Sequence, residues 1–428
     1  MPPIYDPSNP SGPHERRRAF RLLFFCLMAT RIGNSMLFAI LPPLARDLGV
    51  AEAWVGAIYT TSALLFLFMS PVWGALSDRY GRRPLIMFGL SCFALSTLIF
   101  AAAAWAGESG LAPPLIAIFA MAVSRTLFGA LGSATNPAAQ AYVADRTSPA
   151  ERTEALAGLT AAFGMGAILG PALAAAFVER IGVAPFMIAI AVIVGSSAVA
   201  VRVMLPEKTP PKQQSRPINP IRQFAFALDK RLAPFVIYGA GFWIIQASSL
   251  TVIGFFLMNR LDLTPEQGLQ FSGVALMAGA GALIFAQLVV IPALKASPRV
   301  LMGLGAGMAA LGNIEMLFAA NYAAIVFGYI MLSFGFGLAR SGFTGGSSLA
   351  VSPEEQGRAA GVTTATAGLG FAIAPVSALY LFQTFGDIVP YMANAILSVV
   401  LVALAFFHPR IRSASEVAQV TPEPRSPV

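Results

Sequence analysis

Residues 74–83 read Gly-Ala-Leu-Ser-Asp-Arg-Tyr-Gly-Arg-Arg, a charged decapeptide that leaves one long apolar segment and is followed at once by another beginning Pro84-Leu85-Ile86-Met87. Few water-soluble proteins need that arrangement. A bilayer does, because about 20 mostly apolar residues cross its hydrocarbon core and the polar turn joining two crossings must lie outside it. The composition agrees: of 428 residues 57% are hydrophobic and only 11% charged. A soluble domain of that length could not cover itself with so little charge.

Working outward from the decapeptide, twelve apolar stretches can be marked, at 20–45, 54–77, 84–106, 113–144, 154–179, 183–204, 233–258, 267–292, 299–320, 323–350, 358–384 and 388–407. The first follows Arg16, Arg17, Arg18 and Arg21 as a signal peptide would. It is too long for a signal h-region and has no convincing small-residue cleavage site, so an uncleaved helix is expected. An even number of spans puts both termini on one side. With a cytoplasmic N-terminus, 22 of the 28 Lys and Arg residues fall in cytoplasmic segments, three in outer loops (Arg46, Arg180, Arg260) and three within helices (Arg31, Arg125, Arg340). That asymmetry follows the positive-inside rule and predicts a multi-pass protein of the inner (plasma) membrane with both termini cytoplasmic. The net charge of +8 would suggest nucleic acid in a soluble chain, but these basic residues sit at the ends of apolar runs, and no nucleic-acid partner is expected. Cys26 and Cys92 both lie inside apolar stretches, which implies no disulfide framework, no metal site and no cofactor.

The stretch 205–232 is polar and rich in Pro, Lys, Gln and Ser, and divides the spans six and six as a flexible cytoplasmic linker. The predicted organisation is an N-terminal tail (1–19), a first six-helix bundle (20–204), the linker, a second bundle (233–408) and a disordered tail (409–428). Within the linker, Ile221 to Leu232 reads as a short interfacial helix with Phe224 and Phe226 toward lipid and Arg222, Lys230 and Arg231 toward water. The two bundles retain a repeat: SPAERTEALAGLTAAFGMGAILGP (148–171) aligns without a gap on SPEEQGRAAGVTTATAGLGFAIAP (352–375), nine of 24 positions being identical at an offset of 204.

The decapeptide strongly resembles the G-x-L-(A/S)-D-R-x-G-R-(R/K) signature of the major facilitator superfamily. The resemblance implies an all-α membrane fold of 12 transmembrane helices in two six-helix bundles with pseudo-two-fold symmetry about the membrane normal. Arg125-Thr-Leu-Phe-Gly129-Ala-Leu-Gly132 is similar to the family's R-x-x-x-G-x-x-G element in helix 4. Gly166-Ala-Ile-Leu-Gly170-Pro171 is similar to the helix-5 element of exporters that exchange substrate for protons, which points to the drug:proton antiporter branch. A plainer reading of Gly166 and Gly170 is a close-packed helix contact, and the Gly-Pro pair is also a place to kink. For the signature itself (Gly74, Asp78, Arg79, Gly81, Arg82, Arg83) the expected role is a gate. Asp78 would hold the inward face shut through charge-assisted hydrogen bonds, while Arg79, Arg82 and Arg83 would hold the loop at the anionic leaflet. The plainer alternative is a topological anchor.

Ionisable groups within a span are costly unless they face a cavity or a partner. Glu315 is the one acidic residue expected well inside a span, and it is accompanied by Arg31, Arg125 and Arg340 on helices that line the central passage in this superfamily. With Asn34, Asn136, Gln140, Gln246, Ser248 and Ser249 nearby, the three arginines are the candidate substrate site. Multidrug carriers that resemble this chain often place a carboxylate in helix 1 to attract cations; here that region offers Arg31. Three guanidinium groups favour anionic or polar-amphipathic solutes, the alternative being arginines satisfied by backbone carbonyls and amides. Glu315 is the candidate for proton coupling, similar to the helix-9 acid of tetracycline/proton exchangers, or else a structural partner of an arginine. His14 and His408 lie outside the spans. Phe163, Tyr238, Phe242 and Trp243 are candidate apolar walls of a pocket.

These features predict a secondary transporter working by alternating access: proton-coupled efflux of a drug-like or organic-anion solute, by a monomer whose partners are the solute, protons and membrane lipids. No G-x-x-x-x-G-K-(S/T) loop is present to bind ATP, and nothing suggests an enzyme. An organic-anion importer, a lipid or lipid-linked-solute flippase and a non-transporting receptor remain as alternatives.

Overall fold

The computed structural model describes residues 12–147, 149–207, 226–294, 296–352 and 355–413, with the backbone alone at 13, 78, 149–158, 160, 356–358, 360 and 364. Among the described residues there is no strand, and twelve helices are long and apolar enough to cross a membrane. We number them as spans 1 to 12: His14–Asp47, Ala53–Ser77, Arg82–Glu108, Pro114–Ala144, Ala161–Ile181, Val183–Met204, Ala233–Leu261, Pro265–Leu294, Pro298–Phe318, Tyr322–Leu349, Gly361–Phe385 and Val389–Phe407. The chain is an all-α, multi-pass membrane protein.

Prolines account for the irregular spans. Span 1 is interrupted at Met36, and six and seven residues on Pro42 and Pro43 leave the Phe38 and Ala39 carbonyls without their helical N–H donors. In span 4, Pro137 cannot donate to the Ser133 carbonyl, and Gly132–Ala134 tightens into a 3-10 turn. Ahead of Pro292, span 8 widens into a π-helical turn at Ala286–Val290.

The contacts divide the chain into two compact units, residues 1–218 with 263–277, and 219–262 with 278–428. In the first, span 1 packs on span 5, and span 3 on spans 4 and 6; in the second, span 7 packs on span 11, and span 9 on spans 10 and 12. Each pair of the second unit is a pair of the first with six added. Gly182 and Gly386, separated by the repeat offset of 204, both take positive φ (+86° and +111°) where the helices of spans 5 and 11 end.

Arginines close helix ends in both units. In the second, Arg260 donates to the carbonyls of Ala319 (2.9 Å) and Leu317 (3.1 Å) at the end of span 9, and Arg299 donates to Phe406 at the end of span 12 (2.7 Å). The first uses Arg83, which donates to the Arg202 carbonyl at the end of span 6. Each cation meets the negative pole of a helix and satisfies carbonyls that the helix leaves open.

Three expectations are corrected at the margins. Residues 13–19, assigned to a tail, already belong to the helix Pro13–Ser35. Residues 409–413 are helical, and Ile411 is wholly buried in the core of the second unit. Phe226, expected to face lipid, is 7% exposed and packs with Leu232, Ala359 and Val362 because that apolar cluster is the drier alternative. Phe224 and Arg222 lie outside the described residues, as does most of the linker.

Candidate functional site

In the first unit the element around Arg125 is built by its glycines. Gly129 lies directly on the backbone of Ser62 in span 2, and Gly132 leaves room for the Phe128 ring. That ring sits 4.2 Å below the Arg125 guanidinium and is braced edge-on by Phe93 at 4.9 Å. Arg125 is 4% exposed, and its Nη2 donates to Asn34 Oδ1 at 2.6 Å. Its partners are thus an amide and an aromatic face; among the described residues no carboxylate pairs with it.

Arg31 is half-buried where span 1 meets span 5. A Cβ on Gly166 would lie 2.6 Å from the Arg31 Cβ and 2.8 Å from the Met28 carbonyl, and Gly170 lies against Ser35 and the Ile32 carbonyl. Ser35 Oγ donates to the Gly166 carbonyl at 2.8 Å. The helix-5 glycines therefore seat span 5 on span 1 and make space for the Arg31 stem. Gln140 donates to Asn136 Oδ1 at 3.0 Å, one turn apart toward the end of span 4.

The charged decapeptide turns at Gly81, whose φ of +96° both ends the helix Ala53–Tyr80 and starts Arg82–Glu108. Arg82 is 6% exposed; its Nε pairs with Asp145 Oδ2 at 3.0 Å and its Nη1 donates to Ser77 Oγ at 2.5 Å. Expected to meet head groups, Arg82 instead ties this turn to the end of span 4, since an inward ion pair holds a guanidinium more firmly than a screened surface does. Arg79 is exposed and lies over the Tyr80 ring. The Asp78 side chain lies outside the described residues. Beyond span 6, the Pro206 carbonyl accepts from Tyr142 Oη (3.1 Å) and Arg146 Nη2 (2.9 Å), and the Glu207 carboxylate accepts the Arg83 backbone N–H (2.6 Å). Burial lowers the pKa of Arg146 below the ordinary arginine value.

In the second unit Arg340 lies over the Trp243 ring at 5.6 Å. Gln246 follows Trp243 by one turn and presents a buried Oε1 with no hydrogen-bond partner among the described residues. Of the expected pocket walls, Tyr238 and Phe242 are sealed in the core and Trp243 keeps an accessible edge. Ser248 and Ser249 accept hydrogen bonds from Asn394 at 3.0 and 3.2 Å, a buried polar brace between spans 7 and 12. Glu315, expected well inside span 9, stands in its last turn, three residues before Phe318, with Cγ 3.3 Å from where a Cβ on Gly328 would be. Pairwise contact of this kind between Arg340 and Trp243 leaves no sequence signature beyond an aromatic and an arginine in two spans.

Residues 23–350 match the family model described as Major Facilitator Superfamily. The chain belongs to that superfamily. It is 26% identical over 260 residues to Multidrug resistance protein 2 of Bacillus subtilis (strain 168), covering 59% of this chain and 62% of that protein. It is 36% identical to human Solute carrier family 67 member A1 over 39% of this chain and 38% of that one, and 29% identical to the class C tetracycline resistance protein of Escherichia coli over 46% and 48%. The chain thus spans about three fifths of the Bacillus relative's length and less of the others. Among solved structures, a bacterial homolog of the human lysosomal transporter Spinster superposes with a TM-score of 0.71 at 14% identity, over 97% of this chain and 100% of that one. The human organic anion transporter MFSD10 gives 0.64 at 18%, over 92% and 100%. Both likenesses concern the fold.

Proposed function

We propose that this transporter exports a drug-like or organic-anion solute across the inner membrane in exchange for protons, by alternating access, with both termini in the cytoplasm. The observation that carries the anion preference is the pairing of Arg125. A guanidinium buried in a span and bound, among the described residues, by an amide and an aromatic ring keeps its positive charge on offer. Arg340, over Trp243 and without a carboxylate among the described residues, adds a second such charge in the other unit. Further proposed substrate contacts are Arg31, Asn34, Asn136 and Gln140 in the first unit and, in the second, Gln246.

The exporter direction draws support from the helix-5 glycines and from the multidrug and tetracycline resistance relatives. Glu315 is the proposed proton-coupling group. Gly74, Asp78, Arg79, Gly81, Arg82 and Arg83 are the proposed gate, with the Arg82–Asp145 pair as its fixed side. The deciding experiment loads proteoliposomes with a labelled organic anion and imposes a pH gradient. Efflux driven by an inward proton gradient is expected; anion uptake driven by the same gradient would identify an importer, and no solute movement under any gradient would refute transport of this class.

A further inference from the structure

Four side chains of the second unit form the open edge of an otherwise sealed aromatic core. Tyr238, Phe242, Phe336 and Phe343 are buried, while Trp243, Gln246, Arg340 and Phe371 keep part of their surface. The backbone dictates the grouping. Phe336 and Arg340 are four residues apart on span 10 and both meet the Trp243 indole, the ring edge-on at 4.7 Å and the guanidinium over its face at 5.6 Å. Trp243 and Gln246 are three apart on span 7 and share a face. Gly370 completes the set: a Cβ there would lie 2.6 Å from the Trp243 carbonyl carbon, so only glycine lets span 11 come close enough to bring the Phe371 ring within 6.0 Å of the indole.

Three polar groups of this cluster have no protein partner among the described residues. The Arg340 guanidinium finds no acceptor, the Trp243 indole N–H finds none, and Gln246 Oε1 is shut from solvent without a donor. A buried amide oxygen and a guanidinium inside a span are both costly to leave unmatched. Two donors and one acceptor around aromatic walls describe the complement of a flat ring that carries an anion at one edge and an N–H or O–H at another.

We propose that Trp243, Gln246, Arg340 and Phe371 form a subsite for a planar aromatic carboxylate bearing a ring hydrogen-bond donor. Arg340 and the indole N–H take the carboxylate, the aromatic body lies along the accessible edges of the Trp243 and Phe371 rings, which touch each other, and Gln246, its amide turned so that Oε1 leaves its closed position for the accessible side, accepts from the donor. The subsite rests on the anion-transport reading and narrows it to one chemical class.

Titration calorimetry on the full chain in lipid nanodiscs separates the two. The probes are 3-hydroxybenzoate, benzoate, cyclohexanecarboxylate and benzylammonium. Expected is an affinity order of 3-hydroxybenzoate above benzoate above cyclohexanecarboxylate, each step about three- to tenfold, with no binding of the cation. Arg340→Lys should weaken benzoate about tenfold, since an ammonium cannot supply the planar fork. Trp243→Phe, which keeps a ring and removes the N–H, should weaken it severalfold, and Gln246→Leu should erase only the advantage of the hydroxyl. Variants are compared after confirming a monodisperse elution profile. If cyclohexanecarboxylate binds as well as benzoate and the Trp243 and Gln246 variants bind like the parent, the subsite is wrong while anion recognition stands. If no carboxylate binds at millimolar concentration, or benzylammonium binds instead, the anion reading falls and takes the subsite with it.

Discussion

Gly166 and Gly370 occupy the same position of the internal repeat, 204 residues apart, and each lies against a residue of the first helix of its own unit, Arg31 in one case and Trp243 in the other. A Cβ at either would fall 2.6 Å from a carbon of that neighbour: the Arg31 Cβ for Gly166, the Trp243 carbonyl carbon for Gly370. Neither can yield without moving a helix. We expect Gly370→Ala to destabilise the protein by about 1–3 kcal/mol, the usual cost of overpacking. Gly307→Ala, whose Cβ would meet nothing within 4 Å, should be neutral or slightly stabilising. Melting curves of the two variants in the same detergent decide the matter, and equal melting temperatures would contradict the close-contact account.

The span pattern was legible because bilayer thickness leaves only one reading for twelve apolar stretches separated by charged or Pro-Gly turns. Helix ends were less so: Arg16 to Arg18 look like the end of a tail, yet they already belong to the helix, because helical hydrogen bonding does not stop where hydrocarbon does. The repeat was visible as nine identities; the structure gives one of them, Gly166 with Gly370, a packing role, and beyond the aligned stretch Gly182 and Gly386 keep the same offset at two helix ends. Side-chain partnerships were not legible. Arg82 reads as one of three loop cations, and only the fold brings Asp145, 63 residues on, within 3.0 Å of it. Asn34 and Arg125 were both marked as polar within spans, and nothing in a linear chain says they touch.

The Arg82–Asp145 pair predicts a second outcome. Asp145→Asn leaves a buried guanidinium without its counter-charge; with Asp145 about a quarter exposed, water softens the penalty to about 1–3 kcal/mol. Replacing both residues, Arg82→Met with Asp145→Leu, should recover part of that loss. A double-mutant cycle on thermal stability, read alongside turnover, checks it. A coupling energy near zero would remove the pair from the proposed gate, and the effect of Asp78→Asn, expected to lower turnover more than substrate affinity, would then have to be explained separately.

Arg231 donates to Asp229 at 2.9 Å and to Glu355 at 3.0 Å, outside the spans. Its hydrogen bonds hold both carboxyls below their ordinary values, which are about 3.9 and 4.3 in an unfolded chain. Because the folded-state values are depressed, the stabilisation is complete above the unfolded values and is lost as pH falls through the folded ones. The melting temperature of Arg231→Met should therefore trail the parent by a constant amount from pH 6 to 9, and the gap should close below about pH 4. A gap that instead widened toward acid pH would reverse the assignment.

Glu315 stands one turn from the end of span 9, partly exposed and packed on Gly328. If it couples transport, Glu315→Gln should abolish the dependence of efflux on the pH gradient while leaving solute counterflow at zero gradient intact. Loss of both would mark a structural role, and survival of the gradient dependence would place the coupling group elsewhere.

The Asn34–Arg125 contact separates charge from scaffold. Asn34 Oδ1 is the acceptor that a buried guanidinium requires, so Asn34→Leu should destabilise the first unit by about 1–3 kcal/mol through an unsatisfied donor. Asn34→Asp behaves differently. It keeps the hydrogen bond and adds a full negative charge beside Arg125, which should hold or raise the melting temperature while cancelling the positive field that the proposed solute needs. Transport of organic anions by Asn34→Asp should then show KM raised about tenfold with a folded, monodisperse protein, and Asn34→Gln should lie between it and the parent. Unchanged KM in a stable Asn34→Asp variant would mean that Arg125 braces spans 1 and 4 and takes no part in recognising the solute.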